Sequence, residues 1–554
     1  MVDLTQRMCT EKGLFMNFDP VFLPYPSSRY PIYARGGMVA TSSPQASAAG
    51  LEALRRGGNA VDAAVAAAMA LTVVDPASNG IGSDAFALVW IEREKKLYGL
   101  NASGWSPRAL TLERALQETS TPGKMPPFGW MPTMVPGAPK AWASLNSRFG
   151  KIPLTDVARP AVEYAREGYP VSPYLARAWR GSVDHYRAAG NDPMFDEWFR
   201  TFAPEGRAPE PGELVRLPDH AATLEKIAAS QSDDFYRGEL ADRIVADSRA
   251  FGGYYEKEDF SDYDVTWMEP ARVNYRGYDV CEIPPNGQGI VALMALNILK
   301  EFEFGEKECA ETFHRQWEAM KIAFADGLRH ITDPAQMCVD VRDLLSPAYG
   351  AARAAEIGDT AKTYGAVFPP RSGTVYLCAA DGEGNMASYI QSNYLGFGSG
   401  IVVRGTGISL QNRGHDFSLN PADANCLAPR KKTYHTIIPG FLLKDGEAVG
   451  PFGVMGGYMQ PQGHVQVVMN MVDFGLNPQQ ALDAPRWQWM RDGRVLVEDG
   501  FSSEIARQLS QRGHIVAPSL ESGLFGRGQV ILRMKNSTLI GGTERRSDGG
   551  IACY

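Results

Sequence analysis

No excess of positive charge, no paired-cysteine spacing and no membrane-length apolar run occurs in this 554-residue sequence. Lys and Arg total 55 against 63 acids, a formal charge of −8, which gives no electrostatic footprint for nucleic acid or for an anionic membrane. None of the seven cysteines (Cys9, Cys281, Cys309, Cys338, Cys378, Cys426, Cys553) forms a CxxC pair. They read as reduced thiols of an intracellular protein. The opening residues, Met1 to Met8, show no basic region leading into an apolar run, so the expected location is the cytoplasm. The longest apolar stretch, Ala60 to Val74, carries Asp62 and falls short of the ~20 residues a bilayer span needs. The eight histidines make no HExxH, and no GxSxG elbow is present, so neither a metal nor a serine-hydrolase site is expected. Gly287-x-Gly289-x-x-Ala292 follows a strand-like run and precedes a helix, but Pro284-Pro285 intervene and the next long element is another helix rather than a paired strand, so no cofactor is expected either. What remains is small-molecule chemistry in a globular chain that is 44% hydrophobic.

At about 150 residues per domain the length allows three to four units, or one large layered core. Residues 1–35 carry Pro20, Pro24, Pro26 and Pro31 and read as an irregular arm. Ser43-Pro44 then opens a helix to Arg56, and Asn59 caps a second, Ala60 to about Val73, apolar all round and therefore buried on every side. Ala85 to Ile91 follows as a buried strand. Helices are expected at 155–167, 290–302 and 311–329, and a strand at 278–283. Residues 346–373, Ala/Gly-rich and ending in Pro369-Pro370-Arg371-Ser372-Gly373, read as a linker. After it the pattern turns to strands at 375–380, 386–391, 407–410 and 436–443.

The informative stretch runs from Ser372 to Ser418. Thr374 starts a strand; Asp381-Gly-Glu-Gly-Asn385 makes a turn; Phe397-Gly-Ser-Gly400 and Asn412-Arg-Gly-His-Asp416-Phe-Ser418 follow. Alone, Thr374 is an ordinary β-branched strand residue. In this order and spacing the run resembles the γ-glutamyltranspeptidase family of N-terminal-nucleophile hydrolases. Gly58-Asn-Ala-Val-Asp-Ala-Ala64, Ser78-Asn-Gly-Ile-Gly82, Val135-Pro-Gly137, Met455-Gly-Gly457 and Asp483-Ala-Pro-Arg486 are similar to further landmarks of that family, so the resemblance covers residue 36 to the C-terminus.

The resemblance implies an α/β (α+β) fold, a four-layer αββα sandwich made as one precursor and cut before Thr374. Residues 36–373 would be the large chain and 374–554 the small one, both sharing one core, and a dimer of such heterodimers is compatible with it. Thr374 would attack the carbonyl of Gly373, then serve as nucleophile with its freed α-amine as base, a group that titrates at about 7.7–8.0 in short peptides. Ser392 matches the hydroxyl that supports the nucleophile. Gly456 and Gly457 match the oxyanion-hole pair. Asp416 matches the acid that holds the substrate's amino group, the substrate-side Asn and Gln fall at Tyr394 and Arg413, and Thr433-Tyr434 lie where two small hydroxyl residues are usual. Ser103 stands where true transpeptidases carry the Arg that pairs with the glutamyl α-carboxylate, and a serine cannot form that bidentate pair. The expected function is therefore hydrolysis of a small carboxylate-bearing amide such as oxamate, with Arg413, aided by Arg404, binding the anion. A γ-glutamyl hydrolase or transpeptidase acting on glutathione-like substrates and a glutaryl-type acylase are the enzyme alternatives. Val375 replaces the usual second Thr or Ser, which leaves open an uncut, silent binding homologue.

Overall fold

The computed structural model describes residues 29–188, 192–364 and 373–554. Two seven-stranded, wholly antiparallel sheets lie at its centre. The first has the order Gly550–Cys553, Gly37–Thr41, Gly373–Asp381, Met386–Tyr394, Asp84–Ile91, Lys96–Ala102, Thr266–Met268. The second runs Ile32–Ala34, Leu539–Thr543, Arg527–Arg533, Glu447–Met455, Gly440–Lys444, Tyr278–Glu282, Ala271–Tyr275.

Three apolar cores separate four layers. Between the sheets lie Met38, Phe86, Trp90, Tyr376, Ile390, Phe441 and Ile531. Helices Pro44–Arg55 and Ala60–Val74 cover the outer face of the first sheet, with Leu154–Glu167 packed on them. Gly289–Leu299 and Met459–Val472 cover the second, with Ala310–His330 packed on Gly289–Leu299. The result is the αββα sandwich, and it explains why strands such as Asp84–Ile91 and Met386–Tyr394 are buried at every position.

All fifteen residues of Ala60–Val74 are buried, as their apolar circumference requires. Its N-terminus is closed by a capping box, in which Asn59 Oδ1 accepts from the N–H of Val61 and Asp62 while Asp62 Oδ2 accepts from that of Asn59 at 3.0 Å. The N–H of Ala60 donates to Asp381 Oδ2 at 2.9 Å. Asp381 Oδ1 accepts from the N–H groups of Glu383 and Asn385, and Gly384 turns the chain at φ +94°. The Asp-x-x-Gly-Asn turn thus both joins the two central strands and tethers the buried helix. That is the physical use of the motif.

Several boundaries differ from expectation; the strand expected at 436–443 begins only at Gly440 and runs to Lys444. Within the segment read as an irregular arm, Ile32–Ala34 is an edge strand paired with Leu539–Gly541; residues 1–28 lie outside the described ones. Within the segment read as a linker, Pro347–Ala354 is a helix capped by Ser346, whose hydroxyl accepts from the N–H of Tyr349, and packed on Gly289–Leu299; residues 365–372 lie outside the described ones. The strand expected at 407–410 shrinks to Ile408–Ser409. Among the described residues, no helix is long and apolar enough to cross a membrane.

Folding also assembles a buried trio that local spacing does not reveal: His314, Glu318 and His514. His314 Nε2 donates to the Gly358 carbonyl at 2.7 Å, so its Nδ1 accepts from His514 Nε2 at 2.8 Å. Glu318 is ion-paired with Lys321, so the charge of the trio is balanced within the chain.

Candidate active site

Thr374 is the second residue of the central strand Gly373–Asp381 and is fully buried. Gly373 pairs with Tyr394 and Val375 with Gln391, so two residues of the partner strand oppose Thr374 alone. This irregularity places Ser392 beside it. Thr374 Oγ1 and Ser392 Oγ are 2.9 Å apart. Ser392 Oγ donates to the Gly373 carbonyl oxygen at 2.6 Å and accepts from the Tyr394 N–H at 2.8 Å. A serine hydroxyl has one proton, so once it is given to the Gly373 oxygen, the bond between the two hydroxyls must be donated by Thr374. The carbonyl before Thr374 is polarised, and the proton of Thr374 already points at an acceptor.

The backbone around this array comes from the loop after the buried helix. Asn79 Nδ2 donates to the carbonyls of Leu71 and Asp75, and Gln391 Nε2 donates to Asn79 Oδ1 at 2.5 Å. Ser83 Oγ donates to Asn393 Oδ1 at 2.8 Å. Gln391, Ser392 and Asn393 are therefore held by Ser78-Asn-Gly-Ile-Gly82 and the serine after it, and Asn79 and Gln391 are positioning residues that motif spacing alone did not single out. A Cβ at Gly373 would stand 3.1 Å from the Ala77 carbonyl oxygen and 3.3 Å from Gly396 Cα, so a small residue before Thr374 is required by space.

Tyr394 ends the partner strand at φ +75°, a conformation rare for a bulky side chain and a mark of local strain. Its ring lies under Arg413, whose guanidinium carbon is 4.1 Å from the ring centroid. Its hydroxyl donates to Asp416 Oδ1, and Tyr458 approaches the same oxygen at 3.5 Å. Arg413, 1% exposed, donates from Nη1 to Thr436 Oγ1 at 2.7 Å and lies 3.5 Å from Asp416 Oδ2 and 3.8 Å from Asp84 Oδ2. Among the described residues, its Nε and Nη2 have no hydrogen-bond acceptor. Burial lifts the Asp416 carboxyl above its ordinary range, against Arg413 and Tyr394, which hold it down. Asp84 is pushed up to about 7 by burial, and His435, 2.9 Å from it, is held neutral by burial and by Arg413.

Gly456 and Gly457 join the strand Glu447–Met455 to the helix Met459–Val472 at φ +144° and +62°. Gln288 Nε2 donates to the Gly457 carbonyl at 2.9 Å and fixes that peptide. The pair sits just before a helix N-terminus, where backbone N–H groups carry partial positive charge suited to an oxyanion.

The structure thus gathers Thr374, Ser392, Gly373, Tyr394, Arg413 and Asp416 into one connected site. Tyr434 joins it through its ring, stacked on Tyr458 at 5.7 Å, while its hydroxyl donates to Gln288. The Thr433 hydroxyl is engaged by Asn425, and its carbonyl accepts from Asn286, so it acts in shaping the loop. Arg404 is a correction: it is paired with Asp247 and half-exposed over Phe251, spent on a surface ion pair. Ser103 bonds Asn101 and Asn286, and this uncharged network fills the place where a carboxylate-binding Arg was expected to be missing.

Residues 46–554 match the family model described as Gamma-glutamyltranspeptidase. The chain belongs to the gamma-glutamyltranspeptidase family. It is an amidohydrolase of the N-terminal-nucleophile type. It is 35% identical to the "Glutathione hydrolase-like YwrD proenzyme" of Bacillus subtilis strain 168, covering 92% of this chain and 97% of that protein. It is 33% identical to the "Oxamate amidohydrolase proenzyme" of Klebsiella pneumoniae, covering 94% and 98%. Among solved structures it is similar to a cephalosporin acylase from Bacillus halodurans, with 55% identity, a TM-score of 0.93, and coverage of 97% of this chain and 99% of that one.

Proposed function

We propose that this chain cuts itself before Thr374 and then hydrolyses monoamides of short dicarboxylic acids, oxamate being the smallest and a glutaryl amide a longer member. In the first step Thr374 Oγ1 adds to the Gly373 carbonyl carbon and its proton leaves through Ser392. The C–N bond breaks, the Thr374 nitrogen takes a proton, and water cleaves the resulting ester to restore the hydroxyl. The freed amine then accepts the Oγ1 proton during attack on a substrate amide and delivers it to the departing amine. Gly456 and Gly457 N–H groups hold the oxyanion, and water resolves the acyl-threonine.

One observation carries the acyl preference: Arg413 is buried beside Tyr394, two residues from Ser392, and among the described residues its Nη2 has no partner and its Nε only a 3.8 Å approach to Asp84 without a hydrogen bond. A buried guanidinium with unmet donors favours a ligand that brings acceptors, above all a carboxylate. Asp416 Oδ1 takes the Tyr394 hydroxyl, while Oδ2 makes no hydrogen bond among the described residues but lies 3.5 Å from Arg413, whose charge already offsets its own before any ammonium group arrives. That favours an acyl group without the amine of a γ-glutamyl residue. The named activities of the oxamate and acylase relatives agree with this reading.

The test is an amide panel with ammonia or amine release as readout: oxamate, a glutaryl amide, a γ-glutamyl amide and a butyryl amide. The two dicarboxylic monoamides should turn over at least tenfold faster than the butyryl compound. Equal rates on butyryl and glutaryl amides would remove Arg413 from the reading; a γ-glutamyl amide as the best substrate would replace the acyl assignment.

A further inference from the structure

Beside the catalytic array lies a second space, most of whose walls have no role above. It is a cavity of about 530 Å³, with Gly396 and Gly456 on one side and the helix Pro173–Ala188 on the other. A Cβ on Gly373 would stand 3.3 Å from Gly396 Cα, and Gly456 belongs to the glycine pair, so two residues of the cavity wall border the catalytic array. Resting on the function proposed above, we propose that this cavity receives the amine half of the substrate and that Arg177 and Arg527 select amines bearing a carboxylate.

Arg527 supplies the first ground. It is 7% exposed and lines the cavity, and its side chain makes no hydrogen bond or ion pair among the described residues, its Nε being buried without an acceptor. Leaving a guanidinium in that state is costly unless an anion arrives. The ring of Tyr174, 5.1 Å away, supports its face and leaves its edge open. The acids that influence it are occupied or weakened. Asp548 accepts from Ser172, Glu544 is bound by Arg486 and Arg546, and Asp75 is pushed up to about 7 by burial.

Arg177 supplies the second. It is exposed at the rim and makes no ion pair or hydrogen bond among the described residues. Arg546 also reaches the wall but is satisfied by Glu498 and Glu544. Glu521 is the sole acid on the wall among the described residues. Two unspent cations against one acid leave the cavity electropositive. Apolar surface from Phe128 and Leu524 can lie against a carbon skeleton. The volume falls within the range of small-molecule sites and far exceeds what ammonia needs. The amines that fit are amino acids, short peptides and compact carboxylated ring systems.

The test holds the acyl group fixed and varies the amine: N-glutarylglycine against N-glutarylglycinamide. Wild-type enzyme should favour the free carboxylate about tenfold in kcat/KM, the size of one well-placed charged contact. Arg177→Gln, at an exposed position where folding is not at stake, should raise KM for the glycine compound several-fold more than for the glycinamide. Arg527→Gln should do the same more strongly, with Arg527→Lys partly restoring the preference. Equal wild-type rates on the two compounds, or an Arg177→Gln variant that slows both alike, would overturn the inference while leaving the acyl assignment intact. Release from neither compound by a chain that still cuts itself would instead bring down the acyl assignment, and this inference with it.

Discussion

The hydroxyls of Thr374 and Ser392 stand 2.9 Å apart, and that of Ser392 is 2.6 Å from the carbonyl oxygen of Gly373. One serine therefore touches both the attacking group and the bond to be broken.

Removing either partner should stop or slow the cut, but unequally. Thr374→Ala eliminates the nucleophile and should remain a single band on a denaturing gel, without amidase activity. Ser392→Ala keeps the nucleophile but loses the carbonyl contact and the proton acceptor, and should slow cutting by ~10²–10³, the usual effect of deleting one oxyanion donor. Ser392→Thr retains the hydroxyl and should recover most of the rate. Time courses of band splitting separate the three.

Replacing Tyr394 by Phe deletes the hydroxyl that Asp416 accepts, leaving a buried carboxylate short of a partner at a cost of about 1–3 kcal/mol. Because the backbone N–H that anchors Ser392 is untouched, self-cutting should proceed normally. KM for a dicarboxylic monoamide should rise while kcat changes little. A variant that fails to cut would show that the hydroxyl, and not the ring alone, sets the backbone at this position.

Gly456→Ala places a Cβ 3.2 Å from Gly526 Cα at a backbone φ of +144°. The peptide must rotate to relieve this, and its N–H leaves the line of the oxyanion. We expect kcat to fall by ~10² with KM nearly constant. Steady-state kinetics on a glutaryl amide gives both numbers.

Acid should loosen the fold through its buried histidines. His514 is pushed down to about 3 by burial and by the nearby Lys321, His314 and Arg512, against about 6.5 in an unfolded chain. The unfolded state therefore binds a proton that the folded state refuses. Stability from this group is complete above about pH 6.5 and is lost as pH falls toward 3, by up to ~1.4 kcal/mol per pH unit. In the uncut Thr374→Ala background, His514→Gln should flatten the fall of denaturant stability between pH 6.5 and 4.5 by about one proton. An unchanged slope would show that His514 is not the titrating group.

Much of this was legible in the sequence because the motifs are local. The helix boundaries around Ala60 and the strand at Asp84–Ile91 followed from apolar patterning and caps. The meeting of the Thr374 and Ser392 hydroxyls followed from the ordered run after Ser372. Beyond reach were the features set by contacts across hundreds of positions. Arg404 and Arg413 are nine residues apart in similar local sequence, yet Asp247 claims the first and a tyrosine ring shelters the second. Pro347–Ala354 looked like linker because its Ala/Gly composition gives weak periodicity; packing against Gly289–Leu299 makes it a helix. Residues Arg177 and Arg527 share a cavity wall although 350 positions separate them.

In the first sheet, Gly37–Thr41 lies between Gly550–Cys553 and Gly373–Asp381, and Asp84–Ile91 flanks Met386–Tyr394 on the far side. Strands from before and after position 374 are thus interleaved, and scission there detaches only the terminal Gly373–Tyr394 pair from its ladder. It does change the order of the refolding reaction. An intact precursor regains its shape by a first-order process, whereas two severed pieces must first meet, so recovery becomes concentration-dependent. Maturation on this scaffold would therefore be a one-way ratchet: activity is gained at the expense of the ability to recover from unfolding at high dilution.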